Sequence, residues 1–542
     1  MMSTPTPAPG PRRLKHRIPV RLRHHWKPAA ALCVGLLLLV AFFGDARISP
    51  YVTSASVQEA DRITENIEGS VDLYDDSVPH SIQLQYSQTD FDKMMKEFKD
   101  EGSKDFIEAD LTIDGTFLES VGIRLKGNST LMSLRNDGNG GGPPGGGQGG
   151  GQGGDRKGGG QQQGNQQNGG RQGNGKQPGG KGGGRQPGGG MVAYDLSADK
   201  PEELPWLIQV DQYLEGRAYQ GHRQISLRPG TDEQVPMNEA LSLSLMRDSG
   251  QTAERAGFAS VEVNDRPEVT RLMVENPSKD YADTAVDGNG VLYKARAGGG
   301  FEYKGDDPTD YEESFNQLNK KGSQDLEPVM KLIKWADRAS DKEFEEELGD
   351  HVDVDSFAKY VATQNLLLNF DDMAGPGNNY LLWYDLDTKK FSVLGWDFNL
   401  TFSGDAGTGP DDDTGMGGMQ PGGKDGEAPA GMPDGPPEGL PEGMPSTAPG
   451  GGSGGGPGKM GGHVLKEKFL ASDAFDSDYK SAYRELYQRF YESGEAREAL
   501  EDLTDQAKKA GAGDKLDAEV KKLRRTLTQR AKALSQDEEV AG

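Results

Sequence analysis

The period of the apolar residues changes repeatedly along the chain, and each change marks an element. Apolar and polar positions alternate over His80–Tyr86, Phe106–Ile113 and Phe117–Lys126, the two-residue period of a half-buried strand. The last two flank Asp114-Gly115, the strongest short hairpin signal in the sequence. Asp90–Phe98 reads as a short helix ahead of them. The pattern resumes near Ala193, with strands predicted at Trp206–Val210, Gln224–Leu227, Phe258–Asn264, Thr270–Glu275 and Val291–Ala295. Helices are predicted over Met237–Arg247, Lys331–Asp337 and Asp341–Leu348. Val354–Leu368 sets Phe357, Tyr360, Val361, Leu367 and Leu368 on one stripe, which predicts a helix laid on the core. A second hairpin follows: strand Tyr380–Tyr384, turn Asp385–Lys389, strand Phe391–Trp396. The mixture predicts an α+β domain over residues 79–402. Beyond residue 463, Tyr483, Leu486, Tyr487 and Phe490 mark one amphipathic helix. Leu516, Val520, Leu523, Leu527, Ala531 and Leu534 mark another, whose near-heptad stripe packs on the domain or self-associates.

Two stretches break the pattern. Residues 137–190 are almost entirely Gly, Gln, Asn, Pro and Lys/Arg, and residues 403–462 are rich in Gly, Pro, Asp and Met. Neither buries enough apolar surface to offset its ordering entropy, so both are expected to be disordered. The first has neither the spacing nor the compactness of a phosphate loop. The Asp411–Gly415 run in the second lacks the spacing and closing Glu of a calcium loop.

The N-terminus differs from the rest. Arg12, Arg13, Lys15, Arg17, Arg21, Arg23 and Lys27 precede an uncharged run, Pro28–Gly44, and no acid occurs before Asp45. That run is at the short end for a membrane-spanning helix and slightly long for a signal-peptide core. One-sided basic charge predicts that residues 1–27 stay in the cytoplasm and that the body lies outside, behind a 45–78 linker. Phe42 and Phe43 stand where a small-residue cleavage site would lie, which favours an uncleaved single-pass anchor in the cell membrane over a removed signal. The chain's one cysteine, Cys33, lies in this run, so no intrachain disulfide or catalytic thiol in the body is available. Net charge is −26, and the body is more acidic than the whole. Such a surface keeps a protein soluble and argues against nucleic acid as the main partner.

Candidate chemistry concentrates in Asn369–Phe402. Asp371, Asp372 and Asp397 and the amides Asn378 and Asn379 surround the second hairpin. The hairpin would bring Asn379, at the start of its first strand, near Asp397, at the end of its second. An amide and a carboxylate on neighbouring strand ends make a hard-oxygen site suited to Mg²⁺ and phosphate oxygens. Phosphoryl transfer asks for an orienting carboxylate, metal ligands and a cation. Arg124 and Lys126, on one strand face before Gly127, could supply the last. Asp371 to Asn379 is eight positions and Asp372 to Asn378 is six, against five in the common protein-kinase catalytic loop. The competing reading is that these residues are turn formers and strand caps.

Several pieces, in this order, carry a family resemblance: SVGIRLKGNS at 120–129, VEVND at 261–265, RLMVEN at 271–276 and GVLYKA at 290–295. FEYKGDDPTDY at 301–311, SFAKYVATQNLLLNFDD at 356–372, NNYLLWYD at 378–385 and GWDFN at 395–399 follow. The chain resembles the CotH family of atypical kinase-like proteins, over about residues 79–402 and more weakly over the tail. The resemblance implies a two-lobed, protein-kinase-like fold that transfers phosphate from ATP, with Mg²⁺ or Mn²⁺, to protein Ser/Thr. It implies Asp371 as the catalytic carboxylate, with Asp372 as competitor, and Asn379 and Asp397 as metal ligands. Arg124, Lys126, Glu275 and Lys294 become candidates for nucleotide contact, Glu275 through the backbone of a hinge beside the adenine. Lys294 as a charged strand end and Glu275 as a loop cap are the alternatives. The chain departs from the family at Gln209, where a basic residue is expected. A non-catalytic surface or envelope assembly protein on the same fold is the rival class, and transfer of another group from a nucleotide a third.

Overall fold

The alternating strands of the first half close into a barrel of seven. The computed structural model describes residues 62–127, 129–135, 194, 196–231, 234–412, 462–514 and 516–541. The basic N-terminal segment, the expected membrane anchor at 28–44 and the 137–190 stretch lie outside those residues. Among the described residues no helix is long and apolar enough to cross a membrane.

In chain order the first strands are β1 (Glu65–Ile67), β2 (His80–Tyr86), β3 (Ile107–Ile113), β4 (Thr116–Leu125), β5 (Trp206–Gln209), β6 (Arg217–Tyr219), β7 (Gln224–Leu227), β8 (Ala256–Val263) and β9 (Val269–Glu275). The barrel runs β2-β3-β4-β5-β7-β9-β8 and closes through the parallel pair β8–β2. β1 and β6 form a separate two-stranded ladder. Asp114 (φ 49°) and Gly115 (φ 82°) both adopt left-handed backbone between β3 and β4, the geometry a two-residue hairpin turn requires. Ile82, Leu84, Leu111, Ile123, Leu125, Ile208 and Ile225 belong to one apolar cluster. Helix α1 (Gln88–Glu101) adds Phe91, Met94, Met95 and Phe98 to that cluster.

Strand alternation sends the other faces of β8 and β9 into a second core. Ala256 and Phe258 from β8 and Leu272 and Val274 from β9 join the helical half, which starts with α2 (Met237–Asp248). A four-stranded sheet of β10 (Gly290–Ala295), β11 (Phe315–Gln317), β12 (Tyr380–Asp385) and β13 (Phe391–Gly395) has the order β11-β10-β12-β13. Around it stand α3 (Glu327–Arg338), α4 (Asp341–His351) and α5 (Val354–Leu366), each with its apolar stripe in the same core. Helix α5 stops short of the Leu368 expected from its stripe, because Leu368 is left-handed (φ 50°) and turns the chain into the loop that follows.

The tail completes this second core. Helices α6 (Val464–Ala471), α7 (Asp476–Tyr487), α8 (Glu495–Lys509) and α9 (Leu516–Leu534) pack into it. The near-heptad residues Leu516, Val520, Leu523, Leu527 and Leu534 are buried there, so that stripe is covered within the chain. Arg530, also fully buried, donates to the Asn365 carbonyl at 3.0 Å, Asn365 Oδ1 at 2.9 Å and Tyr483 Oη at 3.1 Å. Asn365 in turn donates to the Gly409 carbonyl at 3.0 Å, and Tyr479 to that of Pro410 at 2.8 Å. Residues 403–412, expected to open the second low-complexity stretch, are thereby held on the fold. The rest of that stretch, 413–461, lies outside the described residues.

Candidate active site

The loop after α5 is wound around Asp371. Its Oδ1 accepts the Gly377 N–H at 2.6 Å, and its Oδ2 accepts the Asn379 side-chain amide at 2.8 Å. Asn379 donates as well to the Asp371 carbonyl at 2.9 Å. A Cβ on Gly377 would sit 2.6 Å from Asp371 Oδ2, and one on Gly375 would sit 2.4 Å from Asp371 Cα. Both glycines are therefore required by the closeness of the loop to this carboxylate. Burial, with the Asp397 and Asp372 charges, pushes the Asp371 carboxyl up to about 6, against the pull of its two hydrogen bonds.

Asp372 faces elsewhere. It forms an ion pair with Lys466 of α6 and accepts the Ala374 N–H at 2.8 Å. Asn378 is left-handed (φ 49°) and donates to the Gly299 carbonyl at 2.6 Å, so it ties the loop to the β10–β11 connection. The two consecutive acids thus have different partners: Asp371 the loop amides, Asp372 a lysine of the tail.

Asp397 stands where β13 ends, in left-handed backbone (φ 59°). Its Oδ1 lies 3.3 Å from Arg228 Nη2, an ion pair without hydrogen-bond geometry, and has no donor among the described residues. Arg228 also pairs with the buried Glu239 of α2. Though burial opposes its charge, these two carboxylates raise the Arg228 pKa above its ordinary value. One residue from Glu239, Asn238 donates to the Asn399 carbonyl at 2.7 Å, and Ser242 lies 2.8 Å from Thr401 Oγ1. Helix α2 therefore holds the segment after Asp397 by backbone and side chain.

Three cations face the Trp396 ring: Lys294 at 3.6 Å, Lys126 at 5.3 Å and Arg228 at 5.6 Å from its centroid. Burial pulls the Lys294 amine down to about 8, while Asp397 and Glu254 pull it up. Lys126 falls well below the usual lysine range, through burial and the Arg228 and Lys294 charges. It donates to Ser226 Oγ and to Asn276 Oδ1, both at 2.7 Å. From there a one-way chain of amides begins. Asn276 donates to Gln224 Oε1 at 2.5 Å, Gln224 to Gln209 Oε1 at 2.5 Å, and Gln209 to Asp211. Gln209 is thus linked to Lys126 through two side chains, Gln224 and Asn276.

Arg124 lies 5.2 Å over the Phe106 ring and donates to the Leu125 carbonyl at 3.1 Å; its charge still reaches Lys294. Glu275 is set apart from the cluster. Its carboxylate takes Arg255 at 3.0 Å with His222 at 3.7 Å, and its own N–H donates to the Arg255 carbonyl. The next residue, Asn276, is the one that reaches Lys126, because the side chain alternates to the other face of the strand. Glu254, two residues before β8, is 1% exposed, and both its oxygens lack a hydrogen-bond partner among the described residues. Burial pushes its carboxyl up to about 8.

Arg228, Glu239, Asn276, Trp396 and Lys466 are absent from the candidates the sequence offers. Arg228 follows a short strand and Glu239 lies in the first turn of a helix, both ordinary positions for charged residues. Trp396, beside Asp397 in GWDFN, and Asn276, the last residue of RLMVEN, do stand in motifs that the sequence singles out.

The profile of the CotH kinase protein family matches residues 196–534. That range is more than half of the chain. The chain belongs to the CotH kinase protein family. The match takes in the tail helices, and it starts after β2–β4, which are nevertheless hydrogen-bonded into the same barrel. Inner spore coat protein H of Bacillus subtilis (strain 168) is 24% identical over 200 residues, covering 36% of this chain and 54% of that protein. The chain thus spans about half the length of this curated relative. Within the CotH match fall Asp371, Asn379, Asp397, Lys294, Arg228 and Glu239, whereas Arg124 and Lys126 precede it.

Proposed function

We propose that this CotH-family chain transfers phosphate from ATP, with Mg²⁺ or Mn²⁺, to Ser/Thr hydroxyls of protein, its own included. In this reading the barrel and the helical half are the two lobes of a kinase-like architecture, and the cluster around Trp396 lies in the cleft between them. The observation that carries the reading is the joint placement of a loop-held Asp371, a strand-end Asp397 and buried cations from both halves.

Asp371 is the base or orienting carboxylate for the acceptor hydroxyl; Asp372 is committed to Lys466. The carbonyl oxygen of Asn379, whose nitrogen is engaged, and the carboxylate of Asp397, with one oxygen lacking a donor, would hold the metal. Among the described residues no three His, Cys, Asp or Glu side chains converge to bind a metal by themselves. That donor set fits Mg²⁺, which takes few protein oxygens and fills its shell with phosphate and water. When bound, the ion offsets phosphate charge. Lys126, Lys294 and Arg228 supply the remaining positive field in a site of low dielectric, where fixed charges act strongly. Arg124 and the backbone at Glu275 contact the nucleotide from the barrel side.

We also place the chain at the cell membrane, anchored through residues 28–44 with the body outside, on the strength of the sequence alone: the uncharged run and the basic flank before it. A non-catalytic envelope assembly protein is the second reading, favoured by Gln209 standing where a base is expected. The test is full-length protein with γ-labelled ATP and Mg²⁺ or Mn²⁺, compared with Asp397→Asn and Asp371→Ala. Label on the wild type that both substitutions abolish supports the kinase. Nucleotide bound without label transferred supports the assembly protein.

A further inference from the structure

The described residues end at Asp412 and resume at Gly462, beside the loop that holds Asp371. The Gly462 N–H donates to the Ala374 carbonyl at 3.3 Å. His463 packs on Phe301 with ring centroids 4.2 Å apart and has a ring nitrogen 3.2 Å from Tyr380 Oη. Burial and the Lys466 charge pull that imidazole down to about 3, so it is neutral. One turn into α6, Lys466 meets Asp372, with side chains only 12% and 3% exposed. The tail also reaches α2, where Glu519 of α9 accepts the Val235 N–H at 3.3 Å just before Glu239.

We propose that Lys466 is a positioning residue for phosphoryl transfer: it fixes the Asp372 carboxylate, and through the shared loop sets Asp371 against the acceptor hydroxyl. This rests on the phosphotransferase reading above. Three observations carry it. Asp372 is buried, and a buried carboxylate that loses its counter-ion is left with its full desolvation penalty. Its backbone carbonyl accepts the Asn379 N–H at 3.3 Å, so movement of Asp372 moves the residue that grips Asp371. Ala374, whose N–H bonds Asp372 Oδ1, is also the residue whose carbonyl receives the returning chain. Lys466 therefore acts on the base and not on the nucleotide, whose cations come from β4, β10 and the end of β7.

The test is full-length protein with Mg·ATP and dephosphorylated casein as acceptor, with Mg·ATP affinity measured separately by calorimetry. Lys466→Met is expected to lower kcat by roughly 10-fold to 100-fold, with Mg·ATP affinity and KM within about threefold of wild type. Lys466→Arg, which keeps the charge, should retain most of the turnover. The double variant Lys466→Met/Asp372→Asn should recover at least part of the loss, because it removes the unpaired charge. Equal loss of affinity and kcat in Lys466→Met, or no recovery in either rescue variant, overturns the assignment. A wild type that binds Mg·ATP and transfers nothing overturns the phosphotransferase reading itself, and this inference with it.

Discussion

Asp371 accepts a 2.8 Å hydrogen bond from the side-chain amide of Asn379, across a loop too close for any side chain on Gly377. Both groups are thereby fixed by the same atoms. Gly377→Ala is expected to displace them together, since its Cβ would come within 2.7 Å of Asn379 Nδ2. Phosphate transfer should fall on the order of 100-fold, the cost of misplacing a reacting group by about 1 Å. Steady-state kinetics beside a thermal melt separate this from unfolding. Unchanged turnover would mean the loop is not part of the reaction.

The amide chain from Lys126 to Asp211 makes a different claim. Each member donates to the next, so removing one leaves its neighbours half satisfied. Gln224→Leu cuts the chain in the middle. Loss of one part-buried link costs about 1–1.5 kcal/mol, and KM for Mg·ATP is expected to rise by about tenfold with less effect on kcat. A Gln224→Leu enzyme of wild-type KM would show that Lys126 is positioned by other contacts.

Arg271 is wholly buried and spends its donors on main-chain carbonyls, on Arg228 at 2.6 Å, on Leu204 at 2.6 Å and on Glu202. Burial pulls its pKa down to about 9. Arg271→Met leaves those carbonyls without a donor and should destabilise the protein by about 3–5 kcal/mol. Arg271→Lys should rescue little, since a point charge cannot reach three separated acceptors in one plane. Chemical denaturation decides, and a loss below about 1 kcal/mol contradicts this role.

Glu254 gives the pH dependence. Its carboxyl is raised from 4.5 to about 8 by burial, with Arg228 pulling down and Glu239 and Glu275 pushing up; Lys294 and Tyr281 also face it. Folding therefore takes up a proton at this site. The resulting stability is full below pH 4.5 and is lost as pH rises through the window to about 8, at up to roughly 1.4 kcal/mol per pH unit. Glu254→Gln removes that slope. The difference in unfolding free energy between variant and wild type should change steadily across the window in favour of the variant. A difference independent of pH contradicts the burial assigned to Glu254.

Strands β2, β3 and β13 were legible because each buries alternate residues, and one-sided burial imposes a period on the sequence. Strands β9 and β12, buried on both faces, were legible as short apolar runs bounded by turn residues. The hairpin reading set Asn379 near Asp397, and the register does pair Tyr380 with Gly395 beside them. The bond from Asn379 to Asp371 is a contact of the preceding loop that this reading did not give. What was not legible depended on contacts between distant segments. Glu275 and Asn276 differ by one position, and alternation decides which faces Lys126, yet the last residue of a strand shows no period. Arg228 meets Glu239 across a turn and Asp397 across the second half of the chain. Lys466 follows a stretch with no pattern, so nothing marked it as the partner of Asp372. The α9 stripe was ambiguous in sequence because self-association and intrachain packing ask for the same residues.

The most direct measurement sets Mg·ATP affinity beside label transfer in Asp371→Ala. With the carboxylate lost from the base position and the cations and Asp397 intact, affinity should stay within about threefold of wild type while transfer falls by at least about 100-fold. Transfer that survives the substitution, or affinity and transfer lost together, would contradict Asp371 as the group that acts on the acceptor hydroxyl.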